Sequence, residues 1–318
     1  MRALRFGAVA LLLLAAAWWW SQRGTAVRPV ERVSEDLPKA PQVVSQRSAG
    51  RAAEPPDPAW LAAARDVMTD EREERCGPYL MLTDSRDPRI GGVCERIGAA
   101  LDGEYRNLYG IEPVGEPKGA VLVFSRAAEF RAFASEVGHV RVGYAGFSRA
   151  TRGVVALSSD GLAAVEMAPT LAHELTHLVN RRALGSDLPR WLAEGLADGI
   201  GDTAGAGGLG VLEGFVGVEA QRRRLLEAYG ADRVPRIERL VALERSDFDR
   251  EVVSYDYEQS ALLVRFLLLD PELAPKLRSL LGRLASGERY EPQMLTDELA
   301  LDGESLEVRF RSWFGGAG

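Results

Sequence analysis

Histidine and cysteine are scarce in this chain: 318 residues hold three of the first and two of the second. The cysteines, Cys76 and Cys94, allow a single bridge and no disulfide scaffold. The sequence leaves a disulfide and two buried thiols equally open. Excess positive charge is also missing. The formal net charge is −7, which argues against a general nucleic-acid binder, because phosphate binding needs a basic face. Lysine is rare and arginine plentiful, a bias from which no function follows, and the chain has no internal repeat. What is present is an ordinary globular composition, 46% hydrophobic and 27% charged. The length suits one large or two small domains.

The N-terminus reads as an address. "MRALRFGAVALLLLAAAWWWSQRG" has Arg2 and Arg5, an unbroken apolar run from Phe6 to Trp20, then Ser21, Gln22 and Arg23. That is the layout of an export signal. The run is shorter than the roughly 20 residues of a comfortable bilayer span. Ala15 and Ala17 offer a small-x-small cleavage site, whereas Trp18, Trp19 and Trp20 suit a lipid–water interface and a retained anchor. Residues 1–20 are therefore expected to be a signal peptide or a membrane anchor. No cysteine follows the run, so a lipoprotein is not expected. Either way the chain is expected outside the cytoplasm: periplasmic, secreted, or anchored in the inner membrane and facing the periplasm. Residues 21–58 are polar and proline-bearing without apolar period, and read as a disordered linker.

The folded part is expected from about Trp60 and reads as α+β. "GPYLMLTD" (Gly77–Asp84) and "GAVLVFS" (Gly119–Ser125) have the short apolar pattern of strands, with a helix between them from about Pro88 to Tyr109. "RAAEFRAFASEVG" carries Phe130, Phe133 and Val137 at helical spacing. "GYAGFS" and "GVVALSS" read as two more strands turning through "RATR". After about Gly217 every segment is helical by period, and Leu262, Leu263, Phe266 and Leu267 form an apolar face. Between the halves lies the glycine-rich "DGIGDTAGAGGLG" (Asp198–Gly210), expected to be mobile, as a lid or as slack linker.

"APTLAHELTHLVN" (Ala168–Asn180) holds two of the three histidines. Its helix is expected to start at Pro169, a favoured first-turn position, and to end at Gly185. His173 and His177 then share one face, one turn apart, with Glu174 beside them, while Leu171, Leu175 and Leu178 face the other way. Two imidazoles at i and i+4 can both reach one zinc ion. A glutamate one residue on can take a proton from a water attacking a carbonyl. This is the His-Glu-x-x-His pattern of metalloproteases. A third ligand is required. The remaining histidine, His139, is upstream on a loop, and Asn180 and Ala183 stand where a metzincin carries glycine and histidine. The ligand should then be acidic: Glu194 in "LPRWLAEGLADG", with Asp187 in the intervening turn as a rival. Asp198 follows Glu194 by one helical turn and can accept the outer N–H of His173 or His177.

"LAHELTH" followed by "PRWLAEGLAD" resembles the gluzincin peptidases and, more narrowly, the bacterial peptidase-MA-like domains, whose second motif reads roughly W-L-x-E-G-x-A. The similarity runs from the strand near Gly77 to the C-terminus. It implies Zn2+ as cofactor, His173, His177 and Glu194 as its ligands, Glu174 as general base, and a peptide or protein substrate. It also implies a thermolysin-like zincin lobe over residues 59–216, followed by an all-helical lobe over 217–318. Family members often carry a tyrosine before a Gln-Ser helix in the second lobe. In "YDYEQSALLVRFLL" Tyr257, or else Tyr255, matches it as a donor to the oxyanion, although Ala261 stands where many relatives have tryptophan. In gluzincins a strand like "GVVALSS" is the sheet edge along the cleft, which substrate extends; an ordinary interior strand is the alternative. Two rival classes are a non-catalytic binding module on this fold and a metal-free structural envelope protein.

Overall fold

The structure, a computed structural model, describes residues 55–109, 119–138, 145–185, 188–201, 218–230, 233–243 and 256–315. The N-terminal apolar run and nearly all of the expected linker lie outside the described residues. Among the described residues no helix is long and apolar enough to cross a membrane.

The first half alternates helices and strands: α1 (Pro58–Val67), β1 (Arg72–Cys76), β2 (Tyr79–Thr83), α2 (Ile90–Tyr109), β3 (Ala120–Phe124), α3 (Ala127–Glu136), β4 (Gly146–Arg149), β5 (Val154–Ser158), α4 (Ala164–Leu184) and α5 (Arg190–Leu196). The linker ends in a fixed anchor. Asp57 caps α1, accepting from the Ala59 N–H at 2.9 Å, and its carboxylate also meets Arg152 at 2.9 Å.

Among the described residues the sheet has five strands, in the order β1-β2-β3-β5-β4. β2, β3 and β5 are parallel, while β1 and β4 run antiparallel at the two edges. Its two faces follow the alternation of side chains along each strand. Met81, Val121, Val123, Val155 and Leu157 join α2 and α4 in one core. Leu82, Leu122, Phe124, Val154 and Ala156 meet Ala64 of α1 and the Phe130 and Phe133 rings of α3 on the other. A sheet covered on both faces explains why "AVLVF" of β3 is buried at every position and shows no polar alternation. β1, "REERC", escapes the apolar reading because it is a charged edge strand; only its pairing with β2 places it in the sheet. "GVVALSS" is an interior strand here. β5 lies between β3 and β4, so the edge expected there belongs to β4.

The described part of the second half is helical: α6 (Val218–Tyr229), α7 (Ile237–Ala242), α8 (Asp256–Leu269), α9 (Ala274–Ala285), α10 (Pro292–Leu299) and α11 (Gly303–Gly315). α8 is not one-sided. Ala261, Val264 and Ser260 are buried along with the expected Leu262, Leu263, Phe266 and Leu267, because α8 is wrapped by its neighbours. One apolar core runs from the α4 face of the sheet through Trp191 and Leu192 of α5 into Leu225, Leu277 and Phe310 of the later helices. The mixed α+β class thus holds, and the helices of the second half pack directly on the segment that carries Glu194.

Candidate metal centre

α4 is the element on which the site is built. It begins at Ala164, five residues before the expected start at Pro169, and ends as expected before Gly185, which sits at a φ of 93°. Carboxylates make the earlier start possible. The Ala163 N–H donates to Glu166 Oε2 at 2.6 Å and the Ala164 N–H to Asp87 Oδ2 at 3.2 Å, so two of the first-turn donors are satisfied. Pro169 forfeits one i→i−4 bond, and the helix continues through it with Met167, Ala168 and Pro169 all buried. Leu171, Leu175 and Leu178 fix the rotation of α4 by pointing into the core, which leaves His173, Glu174 and His177 on its more open side.

α5 brings Glu194 to that side. Trp191 is fully buried and its Nε1–H reaches the Tyr290 hydroxyl at 3.3 Å. Gly195 meets α8 so closely that a β-carbon on it would lie 2.6 Å from the Ser260 carbonyl oxygen. These two anchors hold Glu194, which is 1% exposed, against the histidines. Glu194 Oε2 lies 3.3 Å from His173 Nε2 and 3.5 Å from His177 Nε2, and the two ring nitrogens are 3.3 Å apart. A Glu174 carboxylate oxygen lies within 4.8 Å of ring nitrogens of both histidines.

Of the glycine-rich segment expected to be a lid or slack linker, residues 198–201 continue α5 as a π-helical turn from Ala197 to Gly201, and residues 202–210 lie outside the described residues. Arg265 of α8 donates to the Asp198 carbonyl at 3.1 Å. A β-carbon on Gly201 would lie 2.8 Å from Thr176 Oγ1 of α4, so this turn is pressed against the site helix. Asp198 Oδ1 is thereby placed 2.6 Å from His173 Nδ1. A carboxylate only accepts, so Nδ1 carries the proton and Nε2 of a neutral His173 presents its lone pair towards Glu194 and His177.

Electrostatics follow this packing. Burial disfavours charge on His173, but Asp198 outweighs it through its charge and hydrogen bond, with help from Glu194 and Glu174. The ring is held well above the ordinary histidine range. Burial likewise opposes charge on Glu194. His177 and Arg190 override it and hold the carboxyl well below the usual range.

The residues fit a metal. Four-coordinate zinc with ligands at about 2.0–2.1 Å places neighbouring donors about 3.3–3.4 Å apart, the spacing of the His173, His177 and Glu194 atoms. Neither Glu194 oxygen has a well-angled hydrogen-bond donor, although both are buried. A carboxylate so desolvated and so placed has the chemistry of a ligand.

Tyr257 sits one residue removed from this group. Its hydroxyl lies 3.2 Å from Arg190 Nη2, and its ring lies beneath the Arg190 guanidinium at 6.0 Å. Arg190 Nη1 in turn reaches Glu194 Oε1 at 2.7 Å. Sequence reasoning missed Arg190, although its position four residues before Glu194 was a usable signal. Asp187, His139 and Tyr255 lie outside the described residues. Cys76 and Cys94 are free thiols, both buried, with Sγ atoms 3.0 Å apart where the end of β1 meets α2.

Compared with known proteins, the chain matches no family model, and no curated protein is significantly similar to it.

Proposed function

We propose that the chain is a zinc-dependent peptidase of gluzincin type acting outside the cytoplasm, with His173, His177 and Glu194 as zinc ligands and Glu174 as general base. One observation carries this reading. Donor atoms from two helices, contributed by two matched motifs, converge at 3.3, 3.3 and 3.5 Å with Glu174 beside them. The order of elements supports a thermolysin-like arrangement: a mixed sheet, the histidine helix, the glutamate helix, then further helices. The N-terminal apolar run supports export.

Zinc, when bound, supplies Lewis acidity towards a carbonyl and acidifies water. Glu174 takes the proton of the attacking water on its carboxylate and delivers it to the leaving amine. Asp198 keeps His173 in the Nδ1–H tautomer and fixes its ring plane. Tyr257, with its hydroxyl accepting from Arg190, retains its own proton to donate to the developing oxyanion. Edge strand β4 passes one turn before His173, since Gly146 abuts Thr170 of α4, and its outer backbone groups suit an extended peptide.

The test is zinc content after dialysis against a weak chelator, for the native protein and Glu194→Ala. About one zinc per chain in the native protein and much less in the variant is expected. No zinc in either overturns the reading.

A further inference from the structure

Glu194 has two carboxylate oxygens, and the structure treats them differently. Oε2 faces the two histidine Nε2 atoms, whereas Oε1 faces Arg190 Nη1 at 2.7 Å. Arg190 begins α5 and Glu194 lies one turn on, so the two side chains share a face of the same short helix. The guanidinium is itself held. Nη2 reaches the Tyr257 hydroxyl at 3.2 Å, and the aromatic ring lies beneath it at 6.0 Å. Tyr257 belongs to α8, so the chain of contacts runs from the C-terminal half through Arg190 to the glutamate.

We infer that Arg190 is a positioning residue for the metal centre: it occupies Glu194 Oε1 so that Oε2 alone is offered to the ion, and Tyr257 keeps Arg190 in that pose. This inference rests on the peptidase reading above and adds a residue to it.

The physical need is clear from burial. A carboxylate 1% exposed pays heavily for its charge unless a cation stands by it. A carboxyl turned away from the histidines is a poor ligand. Arg190 answers the need, because its charged Nη1 stands 2.7 Å from Oε1 as an ion pair while its Nη2 is tied to the Tyr257 hydroxyl. Lysine has one ammonium on a flexible stem. It supplies the charge but cannot hold Glu194 and Tyr257 from two separate nitrogens in a fixed plane.

The experiment measures zinc affinity by competition with a chromophoric chelator, and the visible spectrum of the cobalt(II) form, for native protein, Arg190→Lys, Arg190→Ala and Tyr257→Phe. Glu194→Ala is the reference for loss of the ligand. Arg190→Ala is expected to lose about 10–100-fold in zinc affinity, the usual effect of removing a partner behind a ligand. It should keep one metal per chain and shift the cobalt spectrum. Arg190→Lys should fall between native and alanine. Tyr257→Phe retains the ring and should lose a smaller factor in affinity, whereas a role at the oxyanion alone would lower kcat and leave affinity and spectrum untouched. If Arg190→Ala is unstable, the lysine and Tyr257→Phe variants still decide the matter. Native affinity and spectrum in the Arg190 variants, with metal lost in Glu194→Ala, overturn this inference and leave the peptidase reading standing. A native protein that binds neither zinc nor cobalt overturns both.

Discussion

His173 Nδ1 and Asp198 Oδ1 are 2.6 Å apart, although the two residues lie on different helical segments. The carboxylate sets the tautomer of a ring whose other nitrogen faces Glu194 and His177. Asp198→Ala frees that ring to rotate and to exchange its proton between nitrogens. Zinc affinity is expected to fall about 10–100-fold, with stoichiometry preserved. Calorimetric titration of zinc into the apo-protein measures it, and an unchanged affinity would mean that packing alone orients His173.

Glu174 lies beside the histidine pair, with a carboxylate oxygen within 4.8 Å of ring nitrogens of both. Glu174→Gln keeps the shape and removes the base. Peptide hydrolysis should drop by about 10²–10⁴-fold, while zinc content stays native. Retained turnover would assign the proton transfer elsewhere, and lost zinc would make Glu174 a ligand.

Gly195 permits α5 to lie directly on α8. A β-carbon there meets Ser260 O at 2.6 Å and Val264 Cγ2 at 2.6 Å. Backbone cannot yield as a side-chain tip can, so Gly195→Ala should cost about 1–3 kcal/mol through overpacking. Because the helix must shift to relieve the clash, Glu194 moves as well. Thermal unfolding and zinc affinity should both decline in this variant. Native values of both would show that α8 accommodates the methyl group.

Cys76 and Cys94 have their Sγ atoms 3.0 Å apart, and both residues are buried. Their mutual hydrogen bond and burial push the Cys94 thiol well up, so exchange in the folded protein is slow and a bond is best made during folding. Oxidation by a dithiol–disulfide donor in an oxidising compartment should yield one intramolecular bridge with loss of two hydrogens. For a loop of this size it should stabilise by about 3 kcal/mol. Mass spectrometry of the unfolded, unreduced protein with an alkylating agent reads the outcome. Two alkylated cysteines in protein recovered from that compartment would rule the bridge out.

Asp87 accepts from the Arg89 side chain at 2.9 and 2.8 Å and from the Ala164 N–H that opens α4. The Arg89 hydrogen bonds hold its carboxyl well below the ordinary value of 3.8. A depressed folded pKa contributes stability that is complete above the unfolded value and lost as pH falls through the folded one. The native protein should therefore surrender this contribution only in strong acid, below about pH 4. Asp87→Asn should be less stable near neutrality, and the difference from native should shrink as the medium is acidified. Urea midpoints at pH 7 and pH 3 test this; a difference that grows towards acid would contradict it.

Much of this was legible in the chain itself. Helical period announced each described helix of the second half, and the spacing of His173, Glu174 and His177 put them on one face, because 3.6 residues per turn is a local property. Glu194 and Asp198 could be named because they repeat at one turn in a helix that must follow a short connection. Local rules failed where a distant partner decided. β1 is too charged to read as a strand and exists through its pairing with β2. The position of β5 inside the sheet depends on which strands cross over, and one strand's composition does not encode that.

The start of α4 at Ala164 depends on a carboxylate from the β2–α2 connection, which overrides the signal of Pro169. The turn at Ala197–Gly201, glycine-rich and loose by composition, is helical because α4 and α8 press on it. The sequence by itself determined which residues share a helix face and could act together, since period and spacing are written into neighbouring residues. Tertiary structure decided which of the two histidines Asp198 serves and which oxygen of Glu194 faces them. It also brought in Arg190 and Tyr257 behind that carboxylate. Those choices depend on contacts between segments far apart in the chain, which no local pattern encodes.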